Sequence, residues 1–421
     1  MIKVINCRSK NYKNKLKDFL DKRRSGKNTD TSIVNKILKE IKKDRLKALI
    51  KYEKKFSKNK KIKPTQKEIN QSIKTLNPKV KKAIDFAYSR IFKFHTLQKT
   101  KNIKFIDQYK NKIEYKNVPI QKIGVYVPAN LPSTLLMNVI PAKIAGVKKI
   151  IVANPKSNGK LNSAVMYAAK KCGVKEIITC GGAQAIGSLA YIQQVDKITG
   201  PGNDYVAKAK QLVFGDVGIE GMIAGPSEIC IIADKKTKLN DITTSILGQS
   251  EHDSNSQSIL VTKFKDLIYK VQNDIKININ SLSRKKIISK SLKNHGLIVL
   301  CKNDKQIVDV VNEIAPEHLE LNISNYSKYI SKIYNAGSIC IGENSPMAVT
   351  DYNVGSNHTL PTLGSAKFSS GLNLNEFYKK ISYITLSKKG VEKIGKSAIH
   401  LANYEGLTAH MLSIKSRMRR K

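Results

Sequence analysis

Ile123-Gly-Val-Tyr-Val-Pro-Ala129, Lys149-Ile-Ile-Val-Ala153, Glu176-Ile-Ile-Thr-Cys180 and Val195-Asp-Lys-Ile-Thr199 are four short apolar runs rich in β-branched residues. Between them lie stretches with helical signals: Ser133 opens one to about Gly146, and others centre on residues 164–172 and 184–191. Runs that are apolar throughout, rather than alternating, belong to strands covered on both faces. Their alternation with helices predicts a parallel sheet.

Met222 to Ala224 leads into a second series of the same kind. Its members are Ile229-Cys-Ile-Ile-Ala233, Ser258-Ile-Leu-Val-Thr262, Gly296-Leu-Ile-Val-Leu300, His318-Leu-Glu-Leu321 and Gly337-Ser-Ile-Cys-Ile341. The fold class is therefore α/β: two tandem α/β/α units with mainly parallel sheets, incompletely Rossmann-like, with helical N-terminal and C-terminal segments. The expected divisions are a helical segment over 1–120 packed on the body and a first unit over 121–228. A second unit spans 229–365, and a C-terminal helical segment spans 366–421.

In the first segment Thr31 or Ser32 can cap a helix carrying Val34, Ile37, Leu38, Ile41 and Leu46. Val80, Ile84, Ala87, Ile91 and Phe94 form an apolar stripe, and His95 on its flank reads as a packing or surface histidine. Beyond Asp351 the chain is loop-rich to about Leu374. It then turns helical, ending in the basic tail Lys415 to Lys421. Internal repeats and low-complexity stretches are absent from the sequence.

A chain of 421 residues can bury a sizeable core. It holds no long apolar run able to span a bilayer, and its first ten residues lack a signal-peptide apolar stretch. The six cysteines form no Cys-x-x-Cys pair, and several sit inside apolar runs, which predicts reduced thiols and a cytoplasmic protein. The net charge of +44 raises nucleic-acid binding. Nine arginines among 76 basic residues, with no interleaved aromatics, argue against a specific reader. A lysine-dominated field attracts polyanions in a salt-sensitive way without selecting a sequence.

Three glycine-rich turns follow strand ends: Gly181-Gly-Ala-Gln184, Gly200-Pro-Gly-Asn203 and Gly225-Pro-Ser-Glu228. Each alone is a tight turn, and none is Gly-x-Gly-x-x-Gly. Together they predict a ligand crevice at the strand ends. Gly248-Gln-Ser-Glu-His-Asp253 closes a helical run from near Asp241, placing Gln249 and His252 on one face. Alone the pair reads first as a helix terminus whose histidine caps carbonyls, and only second as half a metal site. Ala315-Pro-Glu-His-Leu-Glu320 sets Glu317 and His318 at a strand mouth, a carboxylate and an imidazole suited to acid–base work. Asp351 and His358 share one loop, and Glu405 and His410 stand near the C-terminus.

These blocks, in this order, resemble the signature segments of the histidinol dehydrogenase family. They include Gly124-Val-Tyr-Val-Pro-Ala129, Gly181-Gly-Ala-Gln-Ala-Ile-Gly187, Gly200-Pro-Gly-Asn203, Ala224-Gly-Pro-Ser-Glu228 and Gln249-Ser-Glu-His-Asp253. Pro316-Glu-His-Leu-Glu320, Gly355-Ser-Asn-His-Thr-Leu-Pro361, Phe368-Ser-Ser-Gly371 and Glu405-Gly-Leu-Thr-Ala-His410 complete the set. The resemblance implies oxidation of L-histidinol to L-histidine through L-histidinaldehyde with two NAD+. It implies one Zn2+ per subunit on Gln249, His252, Asp351 and His410. Glu317 and His318 would be catalytic. Ser227, Gln249, His252, His318, Asp351, His358, Glu405 and His410 would bind substrate, and Tyr126, Gln184 and Asn203 the dinucleotide. It further implies a homodimer whose C-terminal segment reaches the partner's site, with no membrane association and no specific nucleic acid. A zinc hydrolase is the competing reading, since Glu317 and a metal could also activate water for hydrolysis. It leaves the glycine-rich crevice without a purpose.

Overall fold

The computed structural model describes residues 2–25, 30–221 and 225–418. Each series of apolar runs forms one parallel sheet. In the first, Lys122–Tyr126 pairs with Lys149–Ala153 and then Glu176–Ile178 on one side. On its other side lie Lys197–Thr199 and Gly218–Ile219. In the second, Glu228–Ala233 is flanked by Gln257–Thr262 and Gly296–Leu300, and oppositely by His318–Asn322 and Ser338–Ile341. Numbered within its own unit, each sheet runs in the order 3-2-1-4-5. The repetition lies in topology alone, and no residue pattern betrays it.

The strands are apolar throughout because both faces are covered: every residue of Glu228–Ala233, Gln257–Thr262 and His318–Asn322 is buried. Ile231, Leu260 and Leu319 are at most 1% exposed, and each such side chain contributes about 2 kcal/mol of burial. The α/β class with mainly parallel sheets is thus observed directly. The terminal segments are richer than a purely helical reading. Lys3–Asn6 is a sixth strand of the second sheet, parallel to Gly296–Leu300, with Ile5 in its core. Ile103–Ile106, Lys112–Pro119 and Tyr378–Thr385 form a separate antiparallel sheet. No residue on these three strands is buried, so no apolar alternation marked them.

Local chemistry corrects other details. Asp30 caps the helix Thr31–Ser57, accepting from the Ser32 amide at 2.8 Å, so neither Thr31 nor Ser32 is the cap. A break at Arg45 (φ 51°, ψ −125°) rotates the helix face. Val34 to Ile41 and Ala48 to Tyr52 supply buried positions, while Leu46 turns outward at 50% exposure. In Pro78–Thr96 the inner stripe is Ile84, Ala87, Ile91 and His95, with Val80 and Phe94 outside. His95 is a core residue, bonded through Nδ1 to Gln98 Oε1 at 2.8 Å. The helices Lys388–Tyr404 and Thr408–Met418 pack on each other across Gly406, and residues 419–421 of the basic tail lie outside the described chain. All six cysteines are free and buried.

Candidate active site

The chemistry gathers at the amino ends of two neighbouring strands of the second sheet. Glu228 opens its central strand and His318 the adjacent one, in register with Ile229. The Glu228 amide donates to Glu317 Oε2 at 2.7 Å, and the Glu317 amide donates to Glu228 Oε2 at 3.3 Å. His318 Nδ1 lies 3.2 Å from the Glu228 carbonyl and 3.6 Å from Glu317 Oε2. Both are acceptors, so Nδ1 carries a proton and Nε2 is the working nitrogen. Nε2 is buried without a hydrogen-bond partner, 3.8 Å from Asp351 Oδ1.

Burial pushes the His318 imidazolium toward losing its proton, but the Glu317 and Asp351 carboxylates outweigh that and hold the pKa at about 9. His358 goes the other way, lowered because burial dominates.

Asp351 is the hub. It ends the short helix Met347–Thr350, and its Oδ2 lies 4.0 Å from His252 Nε2. Its carbonyl accepts from His358 Nδ1 at 2.7 Å. Gln249 sits in the last turn of Leu239–Ser250, fully buried, with both amide atoms unpartnered. A buried amide left without partners normally costs about 1–3 kcal/mol. An oxygen in that state suits a ligand position. Ser250 next to it turns away, bonding Ile246 O and Ser258 Oγ. Glu405 and His410 stand exposed on the C-terminal helix pair, apart from this group. Among the described residues, no three His, Cys, Asp or Glu side chains are arranged to hold a metal ion. Gln249, His252 and Asp351 nevertheless fit one as an amide oxygen, an imidazole and a carboxylate lacking one further donor.

Two of the three glycine-rich turns, at Gly181 and Gly200, follow strands of the first sheet, whereas Gly225-Pro-Ser-Glu228 leads into the central strand of the second rather than following a strand end there. In the first unit the strand order reverses between Lys122–Tyr126 and Lys197–Thr199, and their carboxyl ends open a switch-point crevice. Tyr126 is buried there, its hydroxyl accepting from the Gly182 amide at 3.4 Å and its pKa pushed up to about 12 by burial. Gln184 donates to Glu53 Oε1 at 2.8 Å, which also accepts from the Gly181 amide. Asn203 is exposed and caps Asp204–Val213 through the Val206 amide.

Three comparisons bear on these two sites. The family profile for histidinol dehydrogenase matches residues 20–418. The histidinol dehydrogenase of Pelagibacter ubique is 54% identical over 428 aligned residues, covering 100% of both chains. That of Acinetobacter baylyi is 41% identical over 84% of each. The crystal structure of histidinol dehydrogenase from Elizabethkingia anophelis superposes with a TM-score of 0.90 at 34% identity, over 99% of this chain and 98% of that one. The chain belongs to the histidinol dehydrogenase family.

Members of this family are oxidoreductases of histidine biosynthesis acting on a small molecule, and no helix among the described residues could cross a membrane. Sequence reasoning missed several residues that hold the site. Glu320 is buried, accepting from Ser245 Oγ at 3.1 Å and from the Met347 amide at 2.6 Å. It thereby ties the helix bearing Gln249 to the one ending at Asp351. Arg90 donates to the carbonyls of Asn353 and Val354 and props the loop carrying His358. A signal existed: an acid inside an apolar strand, and an arginine in a chain otherwise given to lysine.

Gly200 shapes the crevice. Its φ is +111°, and a Cβ there would lie 2.0 Å from the Tyr126 carbonyl oxygen. Gly200→Ala is expected to lower stability by about 3 kcal/mol or more, combining backbone strain with a clash. Gly215→Ala, at φ +103° with nothing within 4 Å, carries strain alone. Urea unfolding of the two variants separates the terms, and equal midpoints would contradict the clash.

Proposed function

We propose that this protein oxidises L-histidinol to L-histidine through L-histidinaldehyde, using two NAD+ and one Zn2+ per subunit. The observation that carries the reading is the buried Glu317–His318 pair facing Asp351, with the unpartnered amide of Gln249 in the helix that leads to His252. Gln249, His252 and Asp351 would hold the cation, completed by His410 of a second subunit. Ser227, His358 and Glu405 would complete the substrate's surroundings, and Tyr126, Gln184 and Asn203 would line the dinucleotide crevice. When bound, the dinucleotide is the hydride acceptor and the cation is a Lewis acid that orients the amine and imidazole of the substrate.

The protein's own groups divide the remaining work. His318 Nε2 takes the hydroxyl proton as the alcohol becomes an aldehyde. For this it must be neutral, and neutralising Asp351 removes one of the two charges that hold its proton on. Glu317 then takes a proton from water as the water oxygen adds to the aldehyde carbon, and His318 returns its proton to the former carbonyl oxygen, giving a gem-diol with His318 neutral again. His318 takes the proton of that diol as the second hydride leaves, and the acid is released. Burial of both residues keeps bulk water from the intermediate aldehyde.

The dimer in this reading draws support from apolar surface with no partner within the chain. Ile103, Phe105 and Ile384 of the antiparallel sheet and Leu401 and Tyr404 of the C-terminal helices are 56–92% exposed, with Tyr404 at 92%. The buried free thiols suit the reducing cytoplasm. The test is stoichiometry: two NADH formed per histidinol consumed, abolished by chelation and restored by Zn2+. Histidinol consumed without NADH would reject the dehydrogenase reading. Full activity after exhaustive chelation would reject the metal.

A further inference from the structure

We propose that Arg23 and Glu228 are positioning residues that set the geometry of Glu317 and His318. The inference rests on the acid–base roles proposed above. The hydrogen bonds of the two side chains go to each other and to main-chain groups, so their assigned part is to hold the site rather than to meet substrate.

Glu228 meets the acid–base pair through three of its atoms. Its amide holds Glu317 Oε2, its carbonyl holds His318 Nδ1, and its carboxylate receives the Glu317 amide. The first contact fixes one oxygen of Glu317 beside the imidazole and leaves the other for water. The second contact fixes the tautomer that directs His318 Nε2 at Asp351. Both depend on where residues 226–228 lie, because these contacts come from the main chain.

Arg23 fixes that main chain. It lies on the helix Tyr12–Ser25, which follows the strand that edges the second sheet. Its Nη1 pairs with Glu228 Oε1, its Nη2 donates to Pro226 O at 2.6 Å and reaches Ser227 O at 3.5 Å, and its Nε donates to Asn255 O at 3.1 Å. Glu228 Oε1 also accepts from the Leu363 amide at 2.8 Å. One planar fork thus spans the turn before the central strand and the loop after Leu239–Ser250. A lysine has the charge but not the fork. In a chain with 76 basic residues, of which nine are arginine, the retained guanidinium marks a position where several carbonyls must be met at once.

Arg23→Lys tests this, because it leaves the buried carboxylate with a cation and removes only the directed bonds. The expected result is a folded protein whose kcat for histidinaldehyde oxidation falls about ten- to hundredfold, as a displacement near 1 Å would produce. KM for NAD+ should stay within about twofold, since the crevice lies in the other sheet. A kcat within about threefold of wild type for both oxidations would overturn the proposal, whatever happened to the melting temperature.

Should Arg23→Lys fail to fold, the pair Arg23→Met with Glu228→Met removes both buried charges, an exchange that is often neutral for stability. It is expected to regain stability without regaining kcat. Recovery of both together would show a purely structural pair and overturn the proposal. If wild-type protein gives no NADH from histidinol, the functional reading fails, and the inference is judged on 15N-histidine NMR instead. Arg23→Lys should shift or broaden the His318 Nδ1–H signal, and an unchanged signal would overturn it.

Discussion

Glu317→Gln is expected to convert histidinol to histidinaldehyde at nearly the wild-type rate and to slow oxidation of the aldehyde by about 10²–10⁴-fold. The substitution preserves shape, so a side-chain oxygen can still accept from the Glu228 amide, which in the parent lies 2.7 Å away. What disappears is the capacity to take a proton from water. Removing a hydride from an alcohol needs only the base at His318, whose Nδ1 contact to the Glu228 carbonyl does not involve the Glu317 side chain. Hydration of the aldehyde needs a second base, and the neighbouring Glu228 carboxylate is engaged by Arg23 and by the Leu363 and Glu317 amides. The signature is one NADH per histidinol in place of two, with aldehyde trapped by a hydrazine or amine probe. Supplying the aldehyde directly should give no rescue. Equal slowing of both oxidations would remove Glu317 from its assigned role.

The second large effect concerns the C-terminal helices. His252→Ala and His410→Ala are each expected to be close to inactive as homodimers, and to regain activity when mixed. His252 lies beside Asp351, whereas His410 stands exposed on Thr408–Met418, away from that group within the chain. If His410 serves the neighbouring subunit, half of the randomly mixed dimers carry one site with both histidines intact. Activity should then reach about a quarter of wild type at equal concentration. Subunit exchange must be verified by a mass tag. With exchange complete, absence of recovery would mean that His410 acts within its own chain or not at all.

How far the sequence could be read depended on what each position answers to. The parallel strands were legible because burial on both faces forces continuous apolar runs, and Glu228–Ala233 or Gly296–Leu300 tolerate little else. Glu317, His318, Asp351 and Gln249 stood out because their chemistry is unusual for their surroundings. Tyr378–Thr385 was illegible for the opposite reason. Its first residue is half-buried and the rest are exposed, so nothing in the local pattern separates it from a helix or loop. The kink at Arg45 left its neighbours looking like one periodic face. Arg23 and Glu320 were missed because they act on other residues rather than on a ligand. The sequence marks them as out of keeping with their neighbours, but their partners come into view only when segments distant in the chain are brought side by side.

The strand Lys3–Asn6 has a consequence in time. Its partners lie in Gly296–Leu300, and Cys7 meets Cys301 across 294 positions of chain, with their sulfurs 3.9 Å apart. Residues of this strand are thus held by ones synthesised well after them. At the ordinary pace of synthesis the first strand waits about 15–60 s for its partner to emerge. The first unit, local in its contacts from 122 to 219, can close during that interval. The second cannot, and until it does Arg23 has no Glu228 to grip. The acid–base pair therefore forms after the first unit, and until then the nascent chain carries Lys3–Asn6 as an unpaired strand that must avoid foreign edges.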